Sequence, residues 1–317
     1  MLGKNFMNCP VCEKEIEPKL KRIWNDYKLL FCPECEVIFA DPMKNPGREW
    51  YEQEIIYEIA RIVVHGNIEW YHQYFLNYKK IGDTLFDVGC GIGRFLNKAR
   101  IKGYKVTGID FDRRNIKICK TVFKLFDVYD STLEDFRSAN PNRFFDVITL
   151  FETLEHVDNP PYFIKQIKSI LKPDGYIALS VPNRERNIDP LRSGDMPPNH
   201  LTWWNKKTLS DFLERNGFII VSIIEKPIDA DDIANLLKYF FIVLLKSKFS
   251  IIKKTVEKSV ETGQGSRIRI VKFLIKIWLT FFNCISFIIK QIFKIFSLSK
   301  VIKLKGQNLF CLARLNR

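Results

Sequence analysis

Histidine is scarce in this chain, with four among 317 residues, so any chemistry resting on imidazole has few candidates. Long apolar runs are missing too. In the segment richest in Ile and Phe the longest uncharged stretch is residues 277–289. A helix of that length spans roughly 20 Å, short of a ~30 Å hydrocarbon core, so no transmembrane helix is expected. The start of the chain lacks a basic stretch followed by an apolar run and a small-residue cleavage site. A cytoplasmic chain is therefore expected, with the inner face of a membrane as its furthest reach. Acids nearly vanish between Ile233 and Lys305, where 15 Lys and Arg face only Glu257 and Glu261. Almost all of the net charge of +14 thus belongs to one segment, and it points to a local partner rather than a basic fold. There is no internal repeat and no low-complexity tract.

What is present divides the chain. Residues 1–45 hold Cys9, Cys12, Cys32 and Cys35 as two Cys-x-x-Cys turns. Each tight turn brings two thiolates to one tetrahedral ion, and the spacing between the pairs suits a four-cysteine ribbon around Zn2+. Full coordination leaves no open position, so the metal is assigned to folding, not chemistry. Four buried thiols without a metal are the alternative. Residues 46–80 are aromatic and polar, with rough helical spacing, and read as a helical linker. Residues 81–228 alternate apolar runs with amphipathic stretches: strands at 84–88, 105–110, 127–130, 145–150, 176–181 and 218–224, and helices at 91–101, 113–123, 161–171 and 206–216. Such alternation means an α/β fold with a doubly wound, mostly parallel sheet. Residues 229–305 read as a basic amphipathic helical insertion, and 306–317 as a final sheet strand.

The informative run is Asp87-Val88-Gly89-Cys90-Gly91-Ile92-Gly93-Arg94. A buried strand ends at an acid, and three glycines let the backbone turn, approach a ligand and enter a helix. A second acid, Asp110, ends the next strand, where a carboxylate can hydrogen-bond a ribose. The spacing is G-x-G-x-G rather than the dinucleotide G-x-G-x-x-G. An acid beside the first glycine serves a cationic methionine group better than a pyrophosphate.

From about Trp70 to Ile224 the chain resembles a class I S-adenosylmethionine-dependent methyltransferase of the ubiquinone-biosynthesis O-methyltransferase type. The matching stretches are DVGCGIGRFL, VTGIDFD, FDVITLFETLEHVDNPPYFIKQIKSILKPDGYIALSVPN and HLTWWNKKTLSDFLERNGF, in that order. The resemblance implies a Rossmann-like fold and S-adenosylmethionine as cofactor. Asp87, Gly89, Gly91 and Gly93 would hold its methionine part, and Asp110 its ribose. Phe111 would lie beside the adenine, the stretch from Asp130 through Ser131, Thr132 and Leu133 at the adenine edge, and Phe151 beside the sulfonium. Core packing is the other reading of both phenylalanines.

Glu152-Thr153-Leu154-Glu155-His156 follows the fourth strand, and His200 lies after the fifth. His156 or His200 as general base is one reading. A divalent cation, Mg2+ or Mn2+, held by Glu152, Glu155, His156 and His200 is another. This E-x-x-E-H stretch with a later histidine resembles the metal residues of small-RNA 2′-O-methyltransferases and of ubiquinone O-methyltransferases. A scaffold role for the same residues is the third. Trp203, Trp204, Arg184, Arg186 and Arg192 either line the acceptor side or pack a lid.

The apolar, lysine-flanked stretches within 233–305 suit a helix lying on an anionic membrane surface. A helical lid or dimer interface and a nucleic-acid contact are the alternatives, the last disfavoured by so much Ile and Phe. The expected reaction is methyl transfer to a hydroxyl of a lipid-linked, glycan or small aromatic acceptor near a membrane. The layout also resembles zinc-ribbon methyltransferases of nucleotide sugars, some acting at carbon. RNA 2′-O-methylation and a non-enzymatic scaffold are the rival classes.

Overall fold

The computed structural model describes residues 6–53, 67–78, 80–186, 193–227 and 305–316. The membrane-binding stretch expected within 233–305 falls almost wholly outside them, as do residues 54–66 of the linker and Arg192. Among the described residues no helix is long and apolar enough to cross a membrane. The backbone groups into two compact units, 1–225 with 308–317, and 226–307. The cysteine segment and the glycine turn both belong to the first unit.

The cysteine segment forms strands β1 (Met7–Asn8), β2 (Glu15–Ile16), β3 (Lys19–Trp24), β4 (Tyr27–Phe31) and β5 (Ile38–Asp41). Helices α1 (Arg48–Gln53) and α2 (Trp70–Asn77) come next. The α/β part runs β6 (Thr84–Val88), α3 (Arg94–Ile101), β7 (Lys105–Asp110), α4 (Arg113–Thr121), β8 (Val128–Asp130) and α5 (Leu133–Ala139). It continues with β9 (Phe145–Phe151), α6 (Pro160–Ile170), β10 (Leu171–Pro182), β11 (Thr202–Trp203), α7 (Lys206–Arg215), β12 (Phe218–Pro227) and β13 (Lys305–Leu315). The seven-stranded sheet has the order β12-β13-β10-β9-β6-β7-β8. The central pairs are parallel, and β13 joins β10 antiparallel. The doubly wound, mostly parallel sheet is therefore present. Its order reverses between β6 and β9, which opens a crevice beyond the strand ends where ligands of such sheets bind.

Local chemistry starts the helices where the sheet needs them. Asp112, Thr132, Asn159 and Asn205 accept a backbone N–H at the first turns of α4, α5, α6 and α7, each contact stabilising by about 1 kcal/mol. Pro160 sits in the first turn of α6, where its missing N–H is harmless. One sheet face packs on Ile164, Ile167, Leu209 and Phe212 of α6 and α7. The other packs on Phe75 of α2, Phe95 and Leu96 of α3, and Ile116 of α4.

The cysteine segment is built into the first of these cores. Cys9, Cys32, Cys35 and Phe39 share a buried cluster with Ile148, Leu179 and Trp204. Its four-stranded sheet, β11-β5-β4-β3, takes its outermost strand from residues 202–203. Trp203 and Trp204 are therefore buried packing residues, 2% and 0% exposed, and do not line an acceptor side. Arg184 donates to the Glu36 carbonyl, and Arg186 is buried against Asp195. Both guanidinium groups hold the chain together rather than facing a ligand.

Candidate functional site

Two glycines and two acids shape the crevice. Gly91 has φ +53, and a Cβ there would meet nothing within 4 Å, so its open side faces the space beyond β6. Gly93 has φ +83, and a Cβ there would lie 2.7 Å from Cys119 Sγ. Gly91 thus keeps room for a ligand, and Gly93 keeps room for the protein. Asp87 is 3% exposed and accepts from Thr149 Oγ1 at 2.6 Å. Burial pushes its carboxyl up to about 7. Asp110 accepts from the backbone N–H groups of Gly91 and Asp112, both at 2.8 Å, and from Asn115 Nδ2. Burial raises its carboxyl above the usual range, and these donors oppose the rise. Asp110 therefore fastens the glycine turn to β7.

This donor set fits S-adenosylmethionine: open space on the side of Gly91 where a side chain would stand, a buried acid for a cationic group, and a second acid one strand away. Asp110→Ala is expected to weaken binding of S-adenosylhomocysteine about tenfold or more, since it removes charge-assisted hydrogen bonds. Titration calorimetry with unaltered affinity would remove Asp110 from the site.

The other expected cofactor residues are placed unevenly. Phe111 packs on Tyr51, centroids 5.1 Å apart, at the rim. Phe151 is 8% exposed, stacked on Tyr71 and edge-on to Phe95, so its ring belongs to an aromatic core. Asp130 pairs with Arg48 of α1 at 2.6 Å and with Arg113 at 2.8 Å. Ser131 donates its N–H to the Asp110 carbonyl. Thr132 caps α5, and Leu133 is buried.

Beyond β9 the chain turns sharply, with Glu152 at φ +51. Residues 152–156 do not form the α-helical face on which Glu152 and Glu155 would lie together, because only Leu154–His156 coil, as one 3-10 turn. Glu152 is drawn aside: its carboxylate accepts from Ser180 Oγ at 2.8 Å and Asn308 Nδ2 at 2.9 Å, and burial pushes it up to about 7. Of the four residues expected around a cation, Glu155, His156 and His200 converge, each offering a ligand atom within 4.8 Å of the others; Glu152 does not join them. Glu155 is fully buried, and neither carboxylate oxygen has a hydrogen-bond partner among the described residues. Burial raises its carboxyl well above the usual range, and the charge of Glu152 adds to this.

The tautomer of His156 is set by its neighbours. Nδ1 lies 2.6 Å from the Asn199 carbonyl, which can only accept, so Nδ1 carries the proton. Nε2 keeps its lone pair, 3.9 Å from Glu155 Oε1. Burial lowers this imidazole to about 4, so it is neutral near pH 7 and able to ligate a metal. Two residues that the sequence did not mark complete this face. Tyr51 places its hydroxyl 3.2 Å from His156 Nδ1, and Asn45 Nδ2 donates to the His156 carbonyl at 2.8 Å. Neither lies in a motif; only the aromatic character of residues 46–80 hinted at Tyr51.

The four cysteines also meet as a ligand set, with sulfur atoms within 4.8 Å of one another. Val11 and Cys12 direct N–H groups at Cys9 Sγ, and Cys35 directs one at Cys32 Sγ. Burial pushes the Cys32 thiol up to about 11, and contact with Cys9 raises Cys35 as well. Four sulfur atoms this close can hold one tetrahedral cation as thiolates, so the residues fit zinc.

A seven-stranded sheet of this order, with a glycine turn and paired acids at its switch point, is the fold of class I S-adenosylmethionine-dependent methyltransferases. The chain belongs to the methyltransferase-domain family, which matches residues 60–223, just over half its length. Among curated relatives, the ubiquinone biosynthesis O-methyltransferase of Actinobacillus pleuropneumoniae serotype 7 is 39% identical over 111 residues, 32% of this chain and 47% of the relative. That of Vibrio atlanticus is 35% identical over 108 residues, 32% of this chain and 45% of the relative. That of Rickettsia felis is 28% identical over 174 residues, 52% of this chain and 68% of the relative. The chain thus spans about half the length of several of the curated relatives it matches. A solved SAM-dependent methyltransferase from Archaeoglobus fulgidus aligns with 84% of this chain and 96% of its own, at 19% identity and a TM-score of 0.45.

Proposed function

We propose that this protein transfers a methyl group from S-adenosylmethionine to a hydroxyl oxygen of a lipid-linked, glycan or small aromatic acceptor. The observation that carries the reading is the open Cβ side of Gly91, set between the buried acids Asp87 and Asp110 at the sheet's switch point. When bound, the cofactor supplies an electrophilic methyl group on a positively charged sulfur. Asp87 offsets the charge of its methionine end, and Asp110 holds its ribose and the turn beneath it. On the acceptor side, His156 Nε2 has the lone pair to take the hydroxyl proton.

The buried carboxylate of Glu155, without a hydrogen-bond partner among the described residues and beside two imidazoles, favours a second role for the same face: holding a divalent cation that would lower the acceptor's pKa. One carboxylate with two imidazoles suits Mn2+ better than Mg2+, which prefers oxygen ligands throughout. Contact with an anionic membrane rests on the sequence of 233–305 alone. The names of the ubiquinone-biosynthesis O-methyltransferase relatives agree with an oxygen acceptor.

Incubation with methyl-labelled S-adenosylmethionine and membrane extract, with and without chelator, tests these points together. Label in the lipid or glycan fraction is expected, and its loss with chelator, restored by Mn2+ but not by Zn2+, marks the cation. Label only in RNA, with binding that weakens steeply with salt, would replace the acceptor class. Cofactor binding without label in any fraction would mark a scaffold.

A further inference from the structure

The main chain at or beside all three residues of the reacting face is tied to the cysteine segment, far away in sequence. The first tie is a relay of backbone bonds: Ala40 of β5 donates its N–H to the Leu201 carbonyl at 2.8 Å, and Leu201 donates to the Glu155 carbonyl at 2.7 Å. The second is Asn45, whose Nδ2 reaches the His156 carbonyl across 111 residues of sequence and also the Tyr51 hydroxyl. Its Oδ1 accepts from the Gly47 N–H at 2.8 Å, which fixes the amide's orientation. The third is β11, which begins two residues after His200 and pairs Thr202 with Phe39 and Trp203 with Ile38 of β5. Strand β5 itself hangs on the second cysteine turn, since Cys32 donates its N–H to the Val37 carbonyl. The hydrogen-bond partners of the two acids of the cofactor cradle lie outside the cysteine segment: Thr149 for Asp87, and Gly91, Asp112 and Asn115 for Asp110.

We propose that the cysteine segment is a positioning element of the acceptor side: closure of Cys9, Cys12, Cys32 and Cys35 on a metal holds β5, and β5 with Asn45 holds Glu155, His156 and His200 in register, leaving the cofactor cradle to itself. The proposal rests on the zinc and methyl-transfer readings above. It makes the four cysteines a condition for turnover rather than a detachable appendage. Residues that orient a reactive or metal-binding histidine typically change its performance about 10–100-fold when removed.

The test uses the full chain labelled with 15N-histidine, as wild type, Asn45→Ala and Cys12→Ser. Zinc content, the His156 ring signals, S-adenosylhomocysteine affinity and label transfer to membrane extract are read on each. In wild type, one zinc per chain and a His156 spectrum of the Nδ1-protonated tautomer are expected. Asn45→Ala should keep its zinc and its cofactor affinity, shift the His156 ring signals, and transfer label at about one tenth of the wild-type rate or less. Cys12→Ser should lose zinc and show the same change at His156 with cofactor affinity retained. An Asn45→Ala chain whose His156 spectrum and transfer rate match wild type overturns the proposal. So does a Cys12→Ser chain whose cofactor affinity falls in step with transfer. A wild-type chain without zinc removes the metal reading, and Asn45→Ala then decides the coupling alone. Absence of transfer in wild type removes the methyl-transfer reading, and the His156 signal still reports the tie.

Discussion

Gly91→Ala is expected to fold with a small loss of stability and to bind S-adenosylmethionine at least about a hundredfold more weakly, while Gly93→Ala is expected to lose much more stability. Both residues have positive φ, +53 and +83, so alanine pays the left-handed cost of roughly 1 kcal/mol at either position. The difference is what the new methyl meets. At Gly91 it enters open space on the ligand side and strikes nothing of the protein. At Gly93 it strikes Cys119 Sγ at 2.7 Å and Leu125 at 3.0 Å, and overpacking of this kind costs typically ~1–3 kcal/mol more. Thermal melts and calorimetry on the two variants separate the roles. Equal cofactor affinity in Gly91→Ala and wild type would mean that the ligand approaches elsewhere.

A second large effect concerns pH. Burial holds the Asp87 carboxyl up at about 7 in the ligand-free chain, whereas a cationic methionine group binds the ionised form. Below pH 7 binding must therefore expel a proton, and affinity should fall about tenfold for each further unit, close to a hundredfold from pH 8 to pH 5. Calorimetry in buffers of different ionisation enthalpy should detect proton release at pH 6 and little at pH 8. In Asp87→Asn the slope should vanish and affinity at pH 8 should drop. Flat affinity in the wild type across this range would remove Asp87 from contact with the positive group. The same shift sets the sign for stability. The native ligand-free chain binds more protons than the unfolded one between about pH 4 and 7, so the Asp87 contribution to stability declines as pH rises through that window.

The parts of this fold written in local chemistry were readable from the sequence. Strands β6 and β7 are expected at 84–88 and 105–110 and lie there, because buried apolar runs end at an acid and a glycine turn. The end of β10 and the capped helices α6 and α7 are visible for the same reason. What depends on distant pairing is not. Residues 202–203 look like aromatic lining until β5 arrives beside them and turns them into a buried strand. Helix α5 is hidden behind a loose match to an adenine edge, although Thr132 and Asp135 form its cap. Glu152 and Glu155 share a motif, yet the backbone turn at φ +51 sends them to different partners. Asn45 has no pattern around it, and only the fold gives it a role.

The position of β13 has a consequence for biosynthesis. It lies between β10 and β12 although both precede it in the chain, and it supplies Asn308 to Glu152. While a ribosome is still adding the residues before 305, the apolar edge of β10 waits without its neighbour, and the nascent chain is open to wrong pairing or to chaperone capture. Emergence of β13, rather than of the glycine turn, sets the moment at which the site is complete.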